Sequence, residues 1–279
     1  MENEGTSVSG QPDAPPPVET ASLAESHQSS RRYFTRRFIA VYAALGIVLV
    51  GSIVAFVVFA LRPTISPTAA WSSWRPSGGA TSKVAKEIAD HVAPEYHLNK
   101  KGTQLVAVVP SPPAVTAGTQ NVAINAVAVH SSQTGNTDVT QLEPGKTEMY
   151  SLCGLGTHCS IATGQPSQTR GQLVRREALE TAMYTFKYIP LIDSVIVFMP
   201  PNKNIPDQTT VLFFQRQNLS DRLKQPLATT LPLHTPPLPA EVNSVEGPTI
   251  DALTLPSLYT SNLTQLQSGG ALLILTPAI

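Results

Sequence analysis

Charge is scarce in this chain. Asp, Glu, Lys and Arg make up 14 % of its 279 residues, against the usual quarter of a globular chain. The two signs also cancel, to a formal net charge of +0 at pH 7, which removes any global electrostatic attraction to nucleic acid or an acidic partner. So low a charge excludes a highly charged disordered polymer. The 25 prolines point instead to a modest core with long irregular connections. No internal period of solenoid or propeller length is present.

Catalytic signatures are missing as well. There is no G-x-S-x-G elbow and no H-E-x-x-H pair. Gly145-Lys146-Thr147 has the end of a phosphate-binding loop, but Thr140 stands where its first glycine belongs. His91 and His97 flank Pro94 and cannot share a helical face, and His130 and His234 are isolated. Pairs of acids for hydrolysis are not legible. No metal and no cofactor is expected, and an enzyme is the less favoured reading.

What the chain does have is a long apolar run. Phe38 to Leu61 contains no charge and no proline. As a helix it is about 36 Å long, enough to span a hydrocarbon core of about 30 Å with some tilt. Only a helix satisfies the backbone of a single segment there. A cleaved signal peptide has a shorter apolar stretch and a small-residue cleavage site, and neither is present. With no ionisable group inside it, the run offers no proton relay or ion site. It is a tether in the lipid bilayer. Ala40/Ala44 and Gly51/Ala55 have the small-residue spacing through which two such helices can approach as a homodimer.

Arg31, Arg32, Arg36 and Arg37 precede the run, and only Arg62 and Arg75 follow it closely. The positive-inside rule puts the N-terminus in the cytoplasm and the bulk of the chain outside the plasma membrane. Residues 1–37 hold too few large apolar side chains to order themselves and read as a disordered tail. Residues 62–81 read as a Pro/Ser/Gly linker. In it, Trp71 and Trp74 suit either the membrane interface or an edge of the following domain.

Residues 82–279 are expected to form an α+β domain, a mixed sheet with two substantial helices. Ser82–Ala93 places Val84, Ala85, Ile88, Ala89 and Val92 on one face, with Lys83/Glu87 and Lys86/Asp90 pairing on the other. A second helix is expected over Arg170–Tyr188, opened by a Thr169/Gln172 capping box. Its Val174, Ala178, Leu179, Ala182, Met183 and Phe186 form an apolar arc, opposite Arg176, Glu180 and Lys187 with Glu177 near them. Strands are expected over 103–109, 121–129, 147–152, 193–199 and 210–215. A Pro-rich segment covers 226–248. At the end, 253–267 and 271–276 flank a Ser268-Gly269-Gly270 hairpin turn.

Two constellations carry possible chemistry. Cys153 and Cys159 lie on the outer side, where disulfides persist, and Gly154 and Gly156 let the short loop close. A structural disulfide is the leading reading, with a redox pair or a metal site using His158 as alternatives. Arg170, Arg175 and Arg176 cluster near a helix N-terminus, where the macrodipole disfavours cations. They form a candidate site for a phosphate or carboxylate. In the alternative, Arg175 turns to solvent or pairs with a carboxylate of its own domain.

YSLCGLGTHCSIATGQPSQTRGQLVRREALETAMYTFKYI followed by SVIVFMPP, within residues 150–201, resembles a pattern in uncharacterised single-pass bacterial membrane proteins. The resemblance implies neither an activity nor a catalytic residue. The expected protein is a membrane-anchored interaction or envelope-support module. A tethered binding protein or enzyme for an anionic envelope component is the competing reading.

Overall fold

The computed structural model describes residues 38–39, 41–53, 56, 70–112, 115–117, 120–132, 138–201, 209–241, 245–267 and 269–278. The chain divides into two units, Met1–Pro67 and Thr68–Ile279. In the first, 38–39, 41–53 and 56 are helical, and Phe38, Tyr42, Ile47, Val48 and Phe56 are exposed. Among the described residues no helix is long and apolar enough to cross a membrane. The span expected over Phe38–Leu61 lies partly outside them, as do the tail arginines, Ala40 and Ala55, while Ala44 and Gly51 fall in the helical stretch.

The second unit is a mixed α+β structure with several helices. Helix α1 (Thr81–Val92) buries Val84, Ala85, Ile88, Ala89 and Val92, the stripe its period dictates. Lys83–Glu87 and Lys86–Asp90 pair on its outer face at 3.6 and 2.6 Å. Pro94 turns its end into a 3-10 turn over Ala93–Glu95. Strands β1 (Ala107–Val109), β2 (Val115–Ala117), β3 (Gln120–Val122), β4 (Ile124–His130), β5 (Val139–Leu142) and β6 (Thr147–Cys153) follow. Helix α2 (Gln168–Tyr188) leads to β7 (Ser194–Phe198) and β8 (Thr209–Gln215). Short helices α3 (Arg216–Leu223), α4 (Leu227–Thr230) and α5 (Gly247–Thr254) precede the hairpin β9 (Leu258–Gln265) and β10 (Ala271–Pro277).

Eight strands form one sheet in the order β1-β6-β7-β8-β9-β10-β4-β5, and β2 and β3 form a separate hairpin. The pairs β6–β7 and β10–β4 are parallel and the others antiparallel. Every residue of β7 is buried, as expected of a strand covered on both faces. Val195 and Val197 join the core under α1 and α2. Ile196 and Phe198 join a second cluster with Val211, Phe213, Val127, Val129, Leu273 and Leu275. The second cluster is drawn from strands β4, β5, β7, β8 and β10, and no described helix contributes to it.

The single strand expected over 121–129 divides at Ala123 into β3 and β4, which belong to different sheets, and three further boundaries move, each for a local reason. Residues 103–106 do not extend β1, because they fold back on the chain before them: Leu105 donates its N–H to Tyr96 and Leu98 to Thr103. Residues 253–254 end α5 rather than begin a strand, since Pro248 suits the first helical turn and starts a helix at Gly247. Helix α2 is capped by Ser167, whose hydroxyl accepts from the Arg170 N–H, in place of Thr169. The terminal hairpin forms as expected, with Gly269 and Gly270 at φ 80° and 95°.

Candidate functional site

The disulfide forms between Cys153, at the end of β6, and Cys159. Gly154 is required by packing: a Cβ there would strike the Ser160 backbone. Gly154 donates its N–H to the Cys159 carbonyl and Gly156 to the Ser160 carbonyl, at 2.8 and 2.7 Å. His158 and Cys159 take left-handed φ values of 53° and 61°, a conformation ordinarily uncommon outside glycine.

The three arginines do not converge on one site. Arg170 donates from Nη2 to the Thr163 carbonyl at 2.6 Å. It borders a mostly apolar cavity of about 210 Å³, lined also by Ile161, Ser167, Val174 and Met199. Arg175 donates to the Asp251 carboxylate at 2.5 Å and to the Thr254 hydroxyl at 3.0 Å. Both partners belong to α5, so Arg175 fastens that helix to α2. Arg176 is 1 % exposed. Its Nε and Nη2 donate to the two oxygens of Glu246 at 2.6 and 3.1 Å. Its Nη1 reaches the Tyr96 hydroxyl and Glu180 Oε2 at 2.5 and 3.1 Å. Its Nη2 also donates to the Leu233 carbonyl at 2.7 Å. A guanidinium has five N–H bonds, and these five contacts use them all.

The expected polar side of α2 is therefore interior at Arg176 and Glu177. A helical wheel with one apolar arc assumes one covered face. Here α1 and Tyr96 pack beside the helix while the Pro-rich segment and α5 close over it. That segment is part of the domain: Leu227 and Leu231 enter the core, and the Leu233 N–H donates to Glu246. Glu177 is fully buried, and among the described residues neither carboxylate oxygen accepts a hydrogen bond. Burial, reinforced by the Glu180 charge, holds its pKa well above the usual carboxylate range.

Trp71 and Trp74 settle on the domain, not on its approach. Both pack against the core under the helices. Trp71 meets Tyr184 and Tyr188 edge to face at 5.3 and 5.8 Å. Trp74 stacks on His91 at 4.1 Å with an interplanar angle of 12°. The Trp71 carbonyl accepts from Leu227, and the Trp74 carbonyl accepts from the Tyr188 and Ser72 hydroxyls. These bonds tie residues 71–74 to α2 and to the Pro-rich segment.

A cleft of about 280 Å³ opens where those elements meet. Trp71, Tyr184 and Leu231 supply apolar wall. His91, Glu95, Arg176, Glu180 and His234 supply the polar groups. Tyr96 donates its hydroxyl to Glu180 Oε2 at 2.5 Å, so that oxygen receives both Tyr96 and Arg176. Burial raises the Glu180 pKa, and Arg176 and the Tyr96 hydroxyl pull it back only in part. Burial also lowers the His91 pKa, against an opposing pull from Glu95. Among the described residues no group of three or more His, Cys, Asp or Glu is placed to hold a metal ion.

Arg176 and Glu180 of this cleft were visible as charged positions on α2, but their partners lay 70 and 80 residues away in sequence, at Glu246 and Tyr96. Glu95, in the turn after α1, and His234, in the Pro-rich segment, carry no periodic signal, and His91 reads only as a polar-face residue of α1. No family model matches the chain, and no curated protein and no solved structure matches it.

Proposed function

We propose that this chain is a single-pass membrane protein whose α+β domain is a non-enzymatic binding module on the outer face of the plasma membrane, with the N-terminal tail in the cytoplasm. One observation carries the reading: the helical stretch at 41–53 presents large apolar side chains, among them Ile47, Val48, Leu49 and Val50, at 60–74 % exposure. A surface of that kind is favourable in lipid and costly in water. The disulfide supports an oxidising compartment, and the cleft supplies a concave site with convergent polar groups. The test is extraction of membranes with alkaline carbonate. The full chain stays with the pellet on this reading, and its release into the supernatant overturns it.

The competing role, binding an anionic envelope component, retains one observation in its favour. Arg170 and the capped start of α2 border the apolar cavity of about 210 Å³. It is the weaker reading because Arg175 and Arg176 already hold carboxylates of the domain itself.

A further inference from the structure

We propose that the cleft between residues 71–73, the end of α1 and the middle of α2 binds a protonated amine carried on an apolar stem, with the Glu95 and Glu180 carboxylates as its counter-ions. This deepens the binding-module reading and rests on it. Among the described residues, Arg176 supplies the guanidinium of the cleft wall. All its donors are committed to Glu246, Glu180, Tyr96 and Leu233, so it has none to give a ligand anion. Its charge is matched by Glu246, which it grips with two hydrogen bonds and which is itself 2 % exposed.

Glu180 is therefore the second carboxylate on a single cation. Its Oε2 takes both available donors, and Oε1 takes none among the described residues. Glu95 lines the same cleft and forms no described ion pair. Both acids line this one cleft, and the Glu95 charge adds to the burial that raises the Glu180 pKa. A cavity with two under-compensated carboxylates favours a cation. An ammonium supplies three donors on a compact charge, suited to Oε1 of Glu180 and a rim carboxylate together. The Trp71, Tyr184 and Leu231 wall gives an attached methylene stem an apolar surface.

The protein carries its own reporter, since Trp71 and Trp74 are its 2 tryptophans. Trp71 lines the cleft and Trp74 stacks on cleft residue His91. The experiment titrates the full chain in lipid nanodiscs with 1,5-diaminopentane, 1,5-pentanediol and glutarate at constant ionic strength, reading tryptophan fluorescence. The diamine is expected to give a saturable change, with the diol and glutarate giving none. Glu95→Gln, on an exposed side chain, should weaken the diamine by about tenfold, whereas Lys100→Ala, exposed and outside the cleft lining, should not. The absence of saturation by the diamine, equal or tighter glutarate binding, or an unchanged affinity in Glu95→Gln each overturns the proposal. None of these outcomes bears on membrane attachment, which carbonate extraction reads separately.

Discussion

Arg176 and Glu246 join α2 to the start of α5 through two parallel hydrogen bonds, at 2.6 and 3.1 Å, with both side chains almost wholly buried. The pair explains why a segment rich in proline and poor in regular structure stays folded over the helix. Burying two charges costs a great deal of solvation, and the geometry has to return it. Here Glu246 also accepts the Leu233 N–H at 2.7 Å, so the pair is part of a larger network.

Removing one partner leaves the other charged and alone. Arg176→Met alone or Glu246→Leu alone is expected to destabilise the domain by about 3–5 kcal/mol. Replacing both residues together, as Arg176→Met with Glu246→Leu, should cost much less than the sum of the single changes. Urea unfolding of the four proteins of that cycle, followed by tryptophan fluorescence, measures the coupling.

Two acids make the fold lose stability as pH rises. Glu177 has its pKa held well up by burial, and burial pushes Glu148 up to about 7. In the unfolded chain each ionises near about 4.3. The folded protein binds the extra protons, so their contribution is fully present below about pH 4 and declines as pH climbs toward the folded values. Glu177→Met removes two unpartnered buried oxygens and should stabilise by about 1–3 kcal/mol at neutral pH. Glu148→Gln should flatten the loss between about pH 4 and 7. Unfolding midpoints across pH check both.

Arg216, the first residue of α3, closes the end of α2. It donates to the carbonyls of Phe186, Ile189 and Ile192, at 2.5 to 2.8 Å. The Phe186 and Ile189 carbonyls lie at the helix C-terminus, where oxygens lack intrahelical partners and a cation suits the dipole. Arg216→Ala is expected to cost about 2–3 kcal/mol, and Arg216→Lys to recover only part of that, because an ammonium lacks the planar fork. Thermal melts of the two variants decide it.

The disulfide closes a loop of sequence separation 6. On chain-entropy grounds its removal should cost about 2 kcal/mol. Cys153→Ser with Cys159→Ser should match the reduced wild type in denaturant unfolding, and a wild type indifferent to reductant would contradict the assignment.

Periodic features are legible in the sequence. The face of α1, the extent of α2, strands β7 and β8 and the terminal hairpin each follow from local pattern, as does the cysteine loop with its glycines. What stayed hidden was set by contacts between distant segments. Arg175 and Arg176 look like misplaced cations at a helix start until Asp251 and Glu246 arrive from the far end of the chain. Glu177 reads as a surface acid because a wheel shows only one covered face, whereas α2 is enclosed by α1, the sheet and the Pro-rich segment. The cleft escaped for the same reason: its polar groups come from separate segments, at His91 near the end of α1, Glu95 just beyond it, Glu180 in the middle of α2 and His234 in the Pro-rich segment.

Topology is the central claim, and the native cysteines leave it open to direct measurement because both are consumed in the disulfide. Single cysteines placed at Lys100, whose side chain is 83 % exposed, and at Ser7 in the N-terminal tail are treated in intact cells with a membrane-impermeant maleimide. The account predicts immediate labelling of Lys100→Cys, and labelling of Ser7→Cys only after the membrane is permeabilised. Labelling of Ser7→Cys in intact cells with Lys100→Cys protected, or protection of both, would contradict it.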